Sequence, residues 1–303
     1  MRLPFHTLDV FTSQRFAGNP LAVVLDADGL DAAQMQTIAR EFNLSETIFV
    51  MKSLKPAHTA KVRIFTPGAE LPFAGHPTVG VAALLAELRS PQTNGERDAL
   101  IILEETIGTV RVGVRQRAGE AAFAEFDAPK LPERHGMLPP AEELAAALGL
   151  IPNEIGFANH RPIAFTAGVP FSFVPVEDLD AIQRARPRFP YWDSVFTGSV
   201  PGGVFLYTRE TVHTTSHVHA RMFWPATGVN EDPATGSAAA ALSGLLHTYD
   251  SLPDGVHRYV VEQGFEMGRQ SLISLNLTVQ RGKLETVRIG GHAVRVSEGT
   301  ISI

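Results

Sequence analysis

The sequence predicts an α+β fold of two pseudo-symmetric, duplicated domains, each a curved, mostly antiparallel sheet or barrel around one central helix. Three observations carry that expectation. Arg-x-Phe-x-Pro occurs twice, as Arg63 to Pro67 and Arg221 to Pro225. After a short loop, a polar residue followed by Pro-x-x-Gly also recurs, as His76-Pro77 with Gly80 and Asp232-Pro233 with Gly236. Each copy opens a run that is apolar nearly all round, "TVGVAALLAEL" and "SAAAALSGLL", and a helix without a polar face belongs inside its domain. The arginines are 158 residues apart and the prolines 156. Two linked matches in one order indicate a duplicated unit. A chain of 303 residues also exceeds the usual size of one domain, about 150 residues.

The elements follow in order. Leu3 to Val10 and Leu21 to Leu25 read as strands, with "RFAGNP" (Arg15 to Pro20) as the turn between them, given its Gly-Asn-Pro content. Asp31 is an N-cap with Gln34 three residues on, a capping box, and Leu30 and Met35 form a hydrophobic staple. Met35, Ile38, Ala39 and Phe42 make the apolar stripe of that helix, and Asn43 ends it. "ETIFVM" (Glu46 to Met51) and "AKVRIF" (Ala60 to Phe65) read as strands. Ala99 to Phe126 is β-rich, with turns near Gly108 and Gly119. "DAPKLPERHG" (Asp127 to Gly136) is rich in proline and charge and is taken as the linker, giving domains 1–128 and 129–303, with the last strand able to pack back on the first domain. A short helix from Pro140 to Leu148, capped by Gly149, opens the second half. Strands follow in "PIAFTAGVPFSFVPV", "GGVFLYT" and "HVHARMFWP", then the second apolar helix and a β-rich tail from Tyr259 to Ile303.

Composition narrows the function. The chain is 44% hydrophobic with a net charge of -6. A mild acidic balance gives no electrostatic reason to expect nucleic acid or an anionic membrane as partner. There are no cysteines, which removes disulfides, thiolate metal sites and cysteine bases. No apolar stretch approaches the roughly 20 residues that span a bilayer. The N-terminal stretch has no apolar signal region, and the expectation is a cytoplasmic protein. His213, His217 and His219 invite a zinc reading, but no carboxylate is adjacent and a catalytic zinc needs three protein ligands. No metal is expected. Gly202-Gly203 lacks the strand–turn–helix setting of a dinucleotide fingerprint.

The polar heads of the two apolar helices are the candidate site. His76 and Asp232 are expected at the N-caps, with the prolines at the first helical position. Helix starts offer unpaired N–H groups and a partial positive charge, which suits a carboxylate ligand, and the two heads are expected to face each other across a cleft between domains. Asp232 is equally readable as a cap and nothing more, and Ser237 is ordinary in a first turn. Glu46 shares strand parity with Leu44, Ile48 and Val50. A carboxylate on an apolar face has its pKa pushed towards neutrality, where a general acid/base works best. The bland alternative is a strand-end glutamate paired with an arginine such as Arg63.

"FAGNPLAVVLDADGL", "IAREFNLSETIFV", "RIFTPGAELPFAGHPTVG", "RMFWPATGVNEDPATGSA" and "QGFEMGRQS" resemble the phenazine-biosynthesis PhzF-like isomerase family, over most of the chain. The resemblance implies a diaminopimelate epimerase-like fold and a cofactor-independent isomerase. In the best-known member a glutamate moves a proton along trans-2,3-dihydro-3-hydroxyanthranilate. Carried over by motif, Glu46 is that glutamate, with His76, Asp232 and Ser237 as its catalytic companions. Gly75 and Gly236, with Thr78 and Thr235, would bind a small carboxylate-bearing substrate. The resemblance also implies a homodimer. One departure is Gln270, where the tail motif usually has proline. Two alternatives stay open: a non-thiol racemase or epimerase of an amino or imino acid, and an idle member that binds a metabolite or a protein.

Overall fold

The structure, a computed structural model, describes residues 1–91 and 95–303. Two units organise it. Unit 1 holds residues 1–127, 269–271 and 289–303, and unit 2 holds 128–268 and 272–288. The chain therefore passes between units more than once.

In unit 1, β1 (Arg2–Val10) pairs antiparallel with β2 (Asn19–Val24), with Leu8 opposite Leu21. Helix α1 (Ala32–Phe42) begins as its sequence dictates. The Asp31 carboxylate accepts from the Gln34 N–H at 2.8 Å and the Gln34 side chain accepts from the Asp31 N–H at 3.1 Å. Asn43 ends it in the left-handed region. Met35, Ile38 and Ala39 are buried against Phe49 and Phe65. Asp31→Ala is expected to cost about 1 kcal/mol in urea unfolding, the usual worth of such a cap.

β3 (Glu46–Met51) runs parallel to β2, β4 (Ala60–Phe65) antiparallel to β3, and β5 (Glu70–Leu71) folds back on β4. Helix α2 (Gly75–Arg89) follows and is buried on all sides from Gly75 to Ala86. β6 (Glu96–Glu105) lies parallel to β4, and β7 (Gly108–Arg117) and β8 (Ala122–Asp127) continue antiparallel. The turns at Gly108 and Gly119 have φ of +133° and +78°, as the β-rich reading required.

In unit 2, β9 (Glu133–Met137) pairs with β10 (Ile163–Thr166), after which come β11 (Pro170–Pro175), β12 (Val204–Thr208), β13 (Val218–Trp224), β14 (Val229–Asp232) and β15 (Gly255–Gln263). β11 runs parallel to β12 and β13 parallel to β15, the same two places at which parallel pairs occur in unit 1. Helix α3 (Ala141–Leu148) ends at Gly149, with α4 (Leu179–Arg184), α5 (Tyr191–Val195) and the central α6 (Gly236–Tyr249) following. β16 (Ser271–Gln280) and β17 (Lys283–Ser302) complete the chain. β17 starts in unit 2 and ends in unit 1, where it pairs with β8 and β1 and closes a barrel around α2. The two duplicated sheets around central helices are thus the expected fold class.

Three local readings are corrected. The stretch taken as linker contains β9, an exposed edge strand on β10. α4 and α5 were not foreseen; Ile182, Trp192 and Phe196 pack them onto Leu144 and Leu148 of α3. Neither His76 nor Asp232 is an N-cap. Ala74 and Thr235 are, so His76 is the second residue of α2, and Asp232 is the last residue of β14.

That last correction resets the register of the duplication. Ile64 lies opposite Leu71, and Met222 opposite Asp232. Glu70-Leu71-Pro72-Phe73-Ala74-Gly75-His76 therefore matches Glu231-Asp232-Pro233-Ala234-Thr235-Gly236-Ser237. Gly75, not Gly80, is the partner of Gly236, and His76 is the partner of Ser237. Arg-x-Phe-x-Pro then acquires a cause. Arg63 forms a two-pronged pair with Glu70 and sits 5.2 Å over Phe65; Arg221 forms one with Glu231 and sits 4.8 Å over Phe223. Each arginine clamps the turn that leads to the central helix. The repeat extends into loops as well. Glu104 accepts from the N–H groups of Leu54 and Lys55, and Glu262 from those of Val212 and His213.

Gly80 has a packing role. A Cβ there would lie 2.6 Å from Leu21 Cδ2 and 2.8 Å from Val10 Cγ2, so α2 sits directly on β1 and β2. Gly80→Ala is expected to destabilise by about 1–3 kcal/mol, the usual penalty of overpacking, read by denaturant unfolding.

Candidate active site

Glu46 and His76 come together in unit 1. Glu46 opens β3 with its side chain 16% exposed, and its Oε2 lies 3.2 Å from His76 Nε2, in contact but off the line of a hydrogen bond. His76 is buried because every side of α2 faces the barrel interior. Its Nδ1 is 3.3 Å from Nδ2 of Asn19, the fully buried first residue of β2. An amide nitrogen donates, so Nδ1 accepts and the ring hydrogen sits on Nε2, facing Glu46. Burial pushes the His76 pKa down to about 3, so the imidazole is neutral near pH 7. Arg63, the conventional partner for Glu46, is instead held by Glu70 at 2.6 and 2.7 Å.

The start of α2 supplies Gly75 and His76 at the first two helical positions, where backbone N–H groups lack partners within the helix. Thr78 is buried with its hydroxyl 2.8 Å from both the Ala74 carbonyl and Glu105 Oε1. It is turned into unit 1, onto the end of β6.

Unit 2 gathers Asp232, Thr235, Gly236 and Ser237 at the start of α6. Thr235 donates its hydroxyl to Asp232 Oδ2 at 2.6 Å. Gln263, at the end of β15, binds both. Its Nε2 donates to the Asp232 carbonyl at 2.7 Å and to Thr235 Oγ1 at 3.0 Å, while its Oε1 accepts from the Thr235 N–H at 3.1 Å. Gly236 is the first helical residue and Ser237 the second, half-buried. The sequence reading missed Asn19, Glu105 and Gln263. Asn19 had been absorbed into a turn, and Gln263 stands in the "QGFEMGRQS" stretch without an assigned job.

Elsewhere in that stretch, Arg269 donates to the Gly18 carbonyl and pairs with Asp9, and the Gln270 carbonyl accepts from the Gly18 N–H. Gln270 acts there through its backbone carbonyl, which proline also has. Gly18 is at φ +65°, and a Cβ would lie 2.4 Å from the Val10 carbonyl, so only glycine fits.

The three histidines do separate jobs. His219 is fully buried between Glu262 (2.7 Å) and Glu266 (2.9 Å). Burial alone would lower its pKa, but its hydrogen bonds to the two carboxylates outweigh that and raise it. His217 Nδ1 accepts from the Val260 N–H, and His213 packs edge-on against Phe265. Among the described residues no group of His, Asp and Glu is arranged to hold a metal ion, and no helix is long and apolar enough to cross a membrane.

Residues 8–299 match the model of the phenazine biosynthesis-like protein family, PhzC-PhzF. The chain is 51% identical to an uncharacterised isomerase of Mesorhizobium japonicum, covering 97% of each chain. It is 34% identical to trans-2,3-dihydro-3-hydroxyanthranilate isomerase of Pseudomonas aeruginosa over 96% of each. In structure it is similar to the PhzF-family phenazine biosynthesis protein of Bacillus anthracis, with a TM-score of 0.88, 28% identity and 100% of each chain covered. The chain therefore belongs to the phenazine biosynthesis-like PhzC-PhzF family and is an enzyme of the isomerase class.

Proposed function

We propose that the protein is a cofactor-independent isomerase that moves a proton between two carbons of a small, carboxylate-bearing dihydroaromatic substrate, with Glu46 as the proton carrier. The observation that carries this reading is Glu46 Oε2 beside the neutral His76 ring at 3.2 Å. A carboxylate locked to a permanent cation is a poor base, because the cation stabilises the ionised form. A neutral imidazole N–H can orient a carboxylate without that penalty. Glu46 takes a proton from one carbon as the electron pair moves into the conjugated system. It returns the proton to another carbon, so nothing is oxidised or reduced. Gly75 and Gly236, each at the start of a central helix, offer N–H donors of the kind a substrate carboxylate needs. At the start of α6 in unit 2, Asp232, ordered by Thr235 and Gln263, and Ser237 are hydrogen-bonding groups available to a substrate bound there. The similarity to relatives named for trans-2,3-dihydro-3-hydroxyanthranilate makes that compound the first substrate to try.

The test is solvent-isotope incorporation. In deuterated water the wild type is expected to place deuterium on a ring carbon of the substrate, and Glu46→Gln is not. Equal incorporation by both would remove Glu46 from this role.

A further inference from the structure

The corrected register places Glu105 where unit 2 has Gln263. Ala60 pairs with Leu103 and Val218 with Val261, and the two residues each lie two positions beyond. Both hold the start of their central helix, Gln263 at the N-cap of α6 and Glu105 at the first turn of α2. Gln263 does so as an amide, donating and accepting at once. Glu105 meets the Thr78 hydroxyl, Oε1 to Oγ1 at 2.8 Å, while the Ala74 carbonyl lies 2.8 Å from the same Oγ1.

The hydrogens there can be counted. Thr78 has one to donate, and the Ala74 carbonyl can only accept. If Glu105 were ionised, it too could only accept, and one of the two short contacts would set two acceptors face to face. A carboxylic acid resolves this: Glu105 donates to Thr78, and Thr78 donates to Ala74. We propose that Glu105 is a positioning residue held as a neutral carboxylic acid, its hydrogen fixing the turn of α2 that carries Gly75 and His76. It is a protonated glutamate in the place of a glutamine.

The surroundings agree. Burial outweighs the Thr78 contact and pushes Glu105 up to about 8. On its own strand the neighbouring Glu104 is engaged by Leu54, Lys55 and His58. Lys61 and Arg63 lie on β4, and Arg63 is held by Glu70 of β5. On α2, His76 is neutral. β7 places Gly108 opposite Glu105. Among the described residues none of these charged groups forms an ion pair with Glu105.

Two measurements test the protonation without any substrate. Carbon-13 carboxyl spectra of glutamate-labelled protein should show one glutamate titrating near pH 8, absent in Glu105→Gln. Unfolding should also carry its sign. A carboxyl raised from 4.5 to about 8 contributes stability that is complete below the lower value and lost as pH rises through the upper. The folding constant then falls by up to about tenfold per pH unit across that window. His76, depressed from 6.5 to about 3, works in the opposite direction between those values. The quantity to read is therefore wild type against Glu105→Gln, in which the variant gains steadily from about pH 4.5 to 8. If the wild type has no glutamate titrating above about pH 6, well clear of the ordinary range, the proposal is overturned.

The positioning role rests on the proposed function and has its own readout. Glu105→Gln should keep isotope exchange and lose an alkaline decline centred near pH 8, while Glu105→Ala should lose exchange. An alkaline decline unchanged in Glu105→Gln would overturn the role even with the carboxyl protonated. Failure of the proton-carrier assignment would show separately, as exchange surviving Glu46→Gln.

Discussion

Glu46→Gln is expected to lower the rate of solvent-isotope exchange by about 10²–10⁴-fold, the range over which a positioned acid/base acts. The amide keeps the size of the carboxylate and its place at the start of β3, but cannot take a proton. Stability should hardly change, because the amide fills the same space at the start of β3, and Arg63 already has its partner in Glu70. A drop in exchange with an unchanged urea midpoint is therefore the diagnostic pair of results. Glu46→Asp should fall between wild type and Gln, since it keeps the charge but withdraws it by one methylene. A variant that unfolds as it loses exchange would instead mark Glu46 as a structural residue.

Arg221→Ala is expected to destabilise unit 2 by about 3–5 kcal/mol, the cost of breaking a buried ion pair from one side. Arg221 is 2% exposed and is among the largest fully buried side chains of the described residues. It donates to both oxygens of Glu231 and to the carbonyls of Ile182, Gln183 and Ala185. Removing it strips the Glu231 carboxylate of this partner and takes one donor from each of three carbonyls, which keep others from Ala185 and Arg186. Arg63→Ala removes the equivalent clamp in unit 1, where arginine and glutamate are 25% and 33% exposed. Water can compensate there, and the expected cost is about 0–1 kcal/mol. Denaturant unfolding of the two variants side by side tests burial as the deciding factor. Equal costs would contradict it.

Much of this arrangement was legible in the sequence. The all-apolar runs marked α2 and α6 as central because no solvated helix can do without a polar face. The capping box at Asp31 was readable because it is local. The register of the duplication was not. The first half offers two Pro-x-x-Gly segments, Pro72 to Gly75 and Pro77 to Gly80, and local rules for proline at helix starts favour the second. The choice is made by strand pairing, which holds Leu71 and Asp232 at equivalent places. Glu46 and His76 were each visible as candidates, but their contact depends on β3 and α2 meeting. Asn19, Glu105 and Gln263 gave no signal, since each acts by a non-local hydrogen bond. β9 was hidden because an exposed edge strand has no buried face and so shows no alternation of polar and apolar residues.

The closing strand of unit 1 also bears on how the protein is made. Arg2 is paired with Ser302, and Val10 with Ala293, so β1 has β2 beside it early but meets its second neighbour only once β17 has been translated. Residues 1–127 leave the ribosome before residues 289–303 and wait with a barrel seam open, its edge groups unpaired. A long-range closure of this kind is slow and exposes strand edges to other chains meanwhile. Unit 1 is begun before unit 2 but completed after it, and a nascent chain stalled before residue 289 would present β1 and β8 as edges ready to pair with a neighbour.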